Sequence, residues 1–73
     1  MSAKQITFQL LDELEDKEFK GAWLWMRVVK RENIQHYPDT ILRYMREWRK
    51  VRQGVDIILV DKRRSIYKKI TEV

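Results

Sequence analysis

The sequence predicts an α+β domain, three helices followed by a C-terminal β-hairpin. Three observations carry this. Apolar residues recur at helical spacing in three successive segments. Gly21, Pro38 and Gly54 are the only helix breakers, and they separate those segments from one another and from the last quarter of the chain. In that last quarter a β-branched run, Val55 to Val60, gives way to a polar turn and a second alternating stretch. At 73 residues and 44% hydrophobic, the chain can bury one small core, so residues 1–73 are expected to form a single domain.

The first helix is expected over about residues 3–17. Ser2 and Gln5 have the spacing of a capping box. Ile6, Leu10 and Leu14 lie on one face, with Leu11 beside them. Asp12, Glu13, Glu15 and Asp16 crowd the other side near the C-terminal end, where negative charge opposes the helix dipole. Tertiary packing or a basic neighbour must offset that cost. Glu18-Phe19-Lys20 suits a short extended strand.

The second helix is expected over about residues 21–33. Ala22 to Met26 has strand-like composition, but the segment length and the spacing of Ala22, Met26, Val29 and Asn33 suit a helix. The third helix is expected over residues 38–51. Pro38 fits a first helical position, where its missing N–H costs nothing. Asp39 suits the positive end of the dipole. Ile41, Met45 and Trp48 make a buried stripe, and Asp39, Arg43, Arg46 and Lys50 fall opposite, with Glu47 beside them. The hairpin spans 55–70, with Asp61-Lys62-Arg63-Arg64 at its tip. That tip lacks an Asn-Gly or Asp-Gly pair, so the sequence leaves its register open.

Charge is unevenly distributed. Residues 1–19 hold two bases against five acids, a net −3, whereas the remaining 14 bases face six acids, a net +8. A basic face on a small domain points to nucleic acid before a small-molecule substrate. A solvated surface, with Glu47 pairing to Arg43 at i, i+4, is the competing reading.

The stretch Tyr37-Pro-Asp-Thr-Ile-Leu-Arg-Tyr-Met-Arg-Glu-Trp-Arg49 is similar to recognition helices of winged helix-turn-helix domains. Gly54-Val-Asp-Ile-Ile-Leu-Val-Asp-Lys-Arg-Arg-Ser-Ile-Tyr67 is similar to their helix-to-wing passage. The resemblance covers roughly residues 5–70. It departs from the usual pattern in the bulky Trp23, Trp25 and Met26 of the second helix, and in a turn, residues 34–37, without glycine. It implies a three-helix fold with a hairpin wing, whose third helix enters the major groove of double-stranded DNA. Thr40, Arg43, Arg46 and Lys50 would then meet bases or phosphates, and Lys62, Arg63 and Arg64 would hold the flanking backbone or minor groove. Lys68 and Lys69 are further phosphate candidates, although the stem of at least one should cover apolar surface. Tyr44 suits packing or a phosphate contact. The acidic first helix should face away from DNA.

The expected function is therefore double-stranded DNA binding by a small transcriptional regulator, of a kind that suits a virus, phage, plasmid or prokaryote. A homodimer or second module would be needed for useful specificity. Two alternatives stand beside it: a winged-helix adaptor for a protein partner, and an RNA or single-strand binder using its tryptophans as a stacking platform. Trp48 should be core, while Trp23 and Trp25, two apart on a helix, should not both be buried. An exposed one would mark a partner or dimer surface.

Enzymatic activity is not expected. The chain has one histidine, His36, and no cysteine, and it lacks a glycine-rich phosphate loop. No metal, cofactor or small-molecule substrate is expected. The N-terminus has no signal-peptide pattern and no apolar run approaches the roughly 20 residues of a membrane span, so a cytoplasmic setting, or host cytoplasm for a viral protein, is the expectation.

Overall fold

The computed structural model describes residues 2–33 and 35–71. The elements follow in the order α1 (Ala3–Glu13), β1 (Glu18–Lys20), α2 (Gly21–Glu32), α3 (Pro38–Val51), β2 (Val55–Asp61) and β3 (Ile66–Thr71). The expected α+β class is present, as three helices and one three-stranded antiparallel sheet in the order β1-β3-β2. The expected turn at 34–37 includes residue 34, which lies outside the described residues.

Helix α1 starts at the capping box. Ser2 Oγ accepts from the Gln5 amide at 3.2 Å, and Gln5 Oε1 accepts from the Ser2 amide at 2.9 Å. The helix stops at Glu13, four residues short of the expected Lys17. A lysine from the far end of the chain accounts for the early stop. Lys69 Nζ donates to the carbonyls of Leu11 (2.8 Å), Asp12 (3.3 Å) and Leu14 (2.8 Å), and Leu14 itself is extended. These carbonyls lack helical donors at a C-terminus, and the ammonium both satisfies them and complements the dipole. The basic neighbour that the acidic helix end requires is thus Lys69, joined by Arg52.

Helix α2 ends as its sequence implies, with Asn33 left-handed at φ 56° and its amide bonded to the Val29 carbonyl at 2.8 Å. Asparagine tolerates that conformation better than most residues. At the other end, Gly21 sits where chains crowd. A Cβ there would lie 3.2 Å from Leu42 Cδ2 and 3.3 Å from Tyr67 Cε2, and the Gly21 amide donates to the Ser65 carbonyl at 3.0 Å. The start of α2 is thereby held against both α3 and the base of the hairpin turn.

Ile6, Leu10 and Leu11 of α1, Leu24 and Val28 of α2, and Ile41, Met45 and Trp48 of α3 are buried together. Phe19 of β1 and Ile57 of β2 close the core from the sheet side. Each such side chain contributes roughly 1.5–3 kcal/mol through burial. Gly54, with φ 76°, turns the chain from α3 into β2. The hairpin pairs Ile57 with Lys69 and Leu59 with Tyr67, then slips so that Asp61 faces Ile66, leaving Val60 as a bulge. Asp56 Oδ1 accepts from the Ile57 amide at 2.7 Å. The bulge and this side-chain cap both blunt β2, which forms one edge of the sheet.

Candidate nucleic-acid interface

Helix α3 buries Ile41, Met45 and Trp48 and leaves Arg43, Arg46 and Lys50 exposed. Among the described residues, none of these three has a carboxylate within ion-pair distance. The nearby acids are engaged elsewhere. Glu47 pairs with Lys4 of α1 at 3.2 Å, not with Arg43, and Asp56 accepts from Arg49 Nε at 2.6 Å. The Asp56 carboxyl is held below its usual range, first by the Ile57 amide and then by Arg49. Asp39, at the start of the helix, is the acid on this face without an ion pair among the described residues. Arg43 lies over the ring of Tyr44, 5.6 Å from its centroid. Tyr44 is half-buried against the core, so packing is the role the structure shows for it.

Thr40 does not share the face of the three bases. At 100° per residue it stands about 60–120° round the helix from them. It is half-buried, and its amide donates to the Tyr37 carbonyl at 3.0 Å.

The hairpin carries its bases at the tip, residues 62–65. Asp61 Oδ1 accepts from the Arg64 amide at 3.2 Å, and Ser65 takes φ 53°, which together fold the tip without Asn-Gly or Asp-Gly. Lys62, Arg63 and Arg64 are all exposed, and Arg64 Nε lies 3.9 Å from Asp61. The distal half of the hairpin runs beside the first turns of α3. Leu59 and Tyr67 line a cleft of about 310 Å³ together with Asp39, Leu42, Arg46 and Arg49 of α3. A second cleft continues along Arg43, Arg46 and Lys50 to Val55 and Asp56. The α3 bases thus line one wall of a groove whose other wall is the hairpin. Arg49, Leu59 and Tyr67 belong to this groove although nothing local in the sequence singles them out. Arg49 is visible there as one further base on α3, but its groove position depends on where β2 packs.

Lys69 is not available to phosphate. Its ammonium is buried against α1, 5.6 Å from the Trp48 ring centroid, whereas Lys68 is exposed. Two acids, Asp12 in the last turn of α1 and Asp16 just beyond it, are also structural. Asp12 accepts from Trp48 Nε1 at 2.8 Å and takes a two-pronged pair from Arg52 at 3.0 Å each. The Arg52 guanidinium, followed by the indole N–H, holds the Asp12 carboxyl below its ordinary range against the opposing effect of burial. Asp16 accepts from the hydroxyl and amide of Thr71, both at 2.7 Å, and its pKa is lowered by those bonds.

The tryptophans separate as the helical spacing implies. Trp48 is 1% exposed. Trp25 is half-buried and donates to the His36 carbonyl at 2.6 Å. Trp23 is 36% exposed, on the side of α2 that borders α1. His36 pairs with Glu32 and so braces the connection between α2 and α3. Among the described residues no helix is long and apolar enough to cross a membrane, and no group of three or more His, Cys, Asp and Glu side chains is placed to hold a metal ion.

No family model, curated protein or solved structure matches this chain.

Proposed function

We propose that this chain is a winged helix-turn-helix domain that binds double-stranded DNA, with α3 in the major groove and the β2–β3 hairpin as the wing. The observation that carries this reading is the pairing pattern on α3. Among the described residues Arg43, Arg46 and Lys50 are exposed without carboxylate partners, while Glu47 and Asp56 are each neutralised by another base. A merely solvated helix gains from pairing its own charges at i, i+4. Here the helix keeps three cations on one face for a ligand, alongside a hairpin tip where Lys62 and Arg63 have no carboxylate partner among the described residues and exposed Arg64 lies 3.9 Å from Asp61.

The element order and the β1-β3-β2 sheet suit a winged helix. In that arrangement Arg43 and Arg46 read guanine edges or grip phosphate, Lys50 holds phosphate, and Lys62, Arg63 and Arg64 contact the flanking backbone or minor groove. Thr40 sits to one side and suits a backbone contact at the helix start. A role as a small transcriptional regulator follows from such binding.

A stacking platform for single strands finds less support, since Trp48 is core and Trp25 is tied into the α2–α3 connection. The adaptor alternative keeps one specific observation, the exposed Trp23. Competition at equal nucleotide concentration among duplex DNA, single-stranded DNA and RNA tests the reading. Preference for the duplex supports it; equal or better competition by single strands overturns it.

A further inference from the structure

The acid nearest the α3 bases is held by a residue of another helix. Glu47 lines the same cleft as Arg43, Arg46 and Lys50. It stands one turn beyond Arg43, and helical side chains lean toward the N-terminus, so Arg43 is its natural partner. Instead its Oε2 lies 3.2 Å from the ammonium of Lys4, the single base of α1. That oxygen is shielded from solvent and accepts no hydrogen bond among the described residues, although the rest of the side chain is partly exposed. The Lys4 charge is what compensates it. Lys4 is itself seated over the Phe8 ring, 5.7 Å from the centroid, and Arg52 lies over the same ring at 5.4 Å.

Without Lys4, this shielded oxygen has neither a hydrogen bond nor a counter-charge, a costly state for a carboxylate. The side chain then gains by turning to Arg43, which has no carboxylate partner of its own. We propose that Lys4 is a positioning residue for DNA binding: by holding Glu47 at α1, it keeps Arg43 unpaired for phosphate or guanine. The inference rests on the DNA-binding reading of α3. It gives the otherwise acidic first helix a part in binding that needs no contact between Lys4 and the duplex.

A double-mutant cycle of Lys4→Met and Glu47→Gln tests it. Methionine keeps a stem over Phe8 and removes the charge. NMR of the free chains reads the release of Glu47. Fluorescence anisotropy of a labelled duplex at several salt concentrations reads its effect on binding. Lys4→Met should shift the Arg43 Nε resonance and weaken duplex binding about threefold or more. Its salt slope should be shallower by about 0.9, the equivalent of one phosphate contact. In the Glu47→Gln background the same substitution should do none of these. Lys4→Arg, which keeps the charge, should bind as the wild type does. Equal weakening in both backgrounds would make Lys4 a direct phosphate contact and overturn the proposal. An unmoved Arg43 resonance, or unchanged binding by Lys4→Met, would overturn it as well. A wild-type chain that binds no duplex at low salt would instead overturn the DNA-binding reading, and this proposal with it, whatever the Arg43 resonance does.

Discussion

The ammonium of Lys69 lies 2.8 Å from the carbonyl oxygen of Leu11, 58 residues away along the chain. This bond joins the last strand to the end of the first helix. It also decides where that helix stops, because the same ammonium takes the Asp12 and Leu14 carbonyls. Replacing Lys69 by Met keeps the stem and leaves the carbonyls without a donor. Lys69→Met should destabilise the fold by about 2–3 kcal/mol, the range for losing buried bonds to a charged group. Urea denaturation measures it, and a loss under about 0.5 kcal/mol would show that water replaces the ammonium without penalty.

Acid should weaken the fold through the aspartates. Asp12, Asp16 and Asp56 all have pKa values lowered by their partners in the folded chain. In the unfolded chain they titrate near their ordinary value of about 4, so at that pH the unfolded state binds more protons than the folded one. Their contribution is complete above that value and is lost as pH falls below it, through the lowered folded values. Urea midpoints should therefore drop steadily below about pH 4. Asp12→Asn should flatten the drop while lowering the midpoint at neutral pH. A variant profile parallel to that of the wild type would remove Asp12 from this account.

The two glycines should respond for different reasons. Gly21→Ala places a methyl group 3.2 Å from Leu42 and 3.3 Å from Tyr67, and should cost about 1–3 kcal/mol as overpacking. At Gly54 a methyl group would meet nothing within 4 Å, but the backbone takes φ 76°, so Gly54→Ala should cost roughly 1–2 kcal/mol through the backbone alone. Adding Leu42→Ala should recover stability in the first variant relative to the sum of the single changes, and should add without coupling in the second. A double-mutant cycle reads the difference.

Much of this architecture is legible in the residues. Pro38 and the Ile41, Met45, Trp48 stripe place α3 at 38–51, and Asn33 marks the end of α2, because caps and periodicity are local properties. The Ser2–Gln5 capping box is local in the same way. The end of α1 is not legible, since apolar and acidic residues continue past Glu13 and the stop comes from a lysine in β3. Lys69 itself reads as one more surface base beside Lys68, and only the pairing of β3 between β1 and β2 turns it inward. The basic face of α3 can be drawn from 100° geometry alone. Which of its charges stay free cannot, because Glu47 finds Lys4 and Arg49 finds Asp56 through tertiary packing.

The hairpin tip should act on affinity and not on sequence choice. Changing Lys62, Arg63 and Arg64 together to Ala should weaken duplex binding by similar factors on different sequences, as removing phosphate-binding side chains does. Binding assays on two unrelated duplexes compare the factors. A weakening confined to one duplex would assign the tip to base reading instead.

The most direct test of DNA binding through α3 is the salt dependence of duplex affinity for the wild-type chain and for the variant with Arg43→Ala, Arg46→Ala and Lys50→Ala. The wild type should bind at low salt, with log affinity falling linearly against log salt. The variant should bind far more weakly with a shallower slope, by about 0.9 for each phosphate that it no longer neutralises. Absence of wild-type binding at low salt, or a variant whose affinity and slope match those of the wild type, would contradict it.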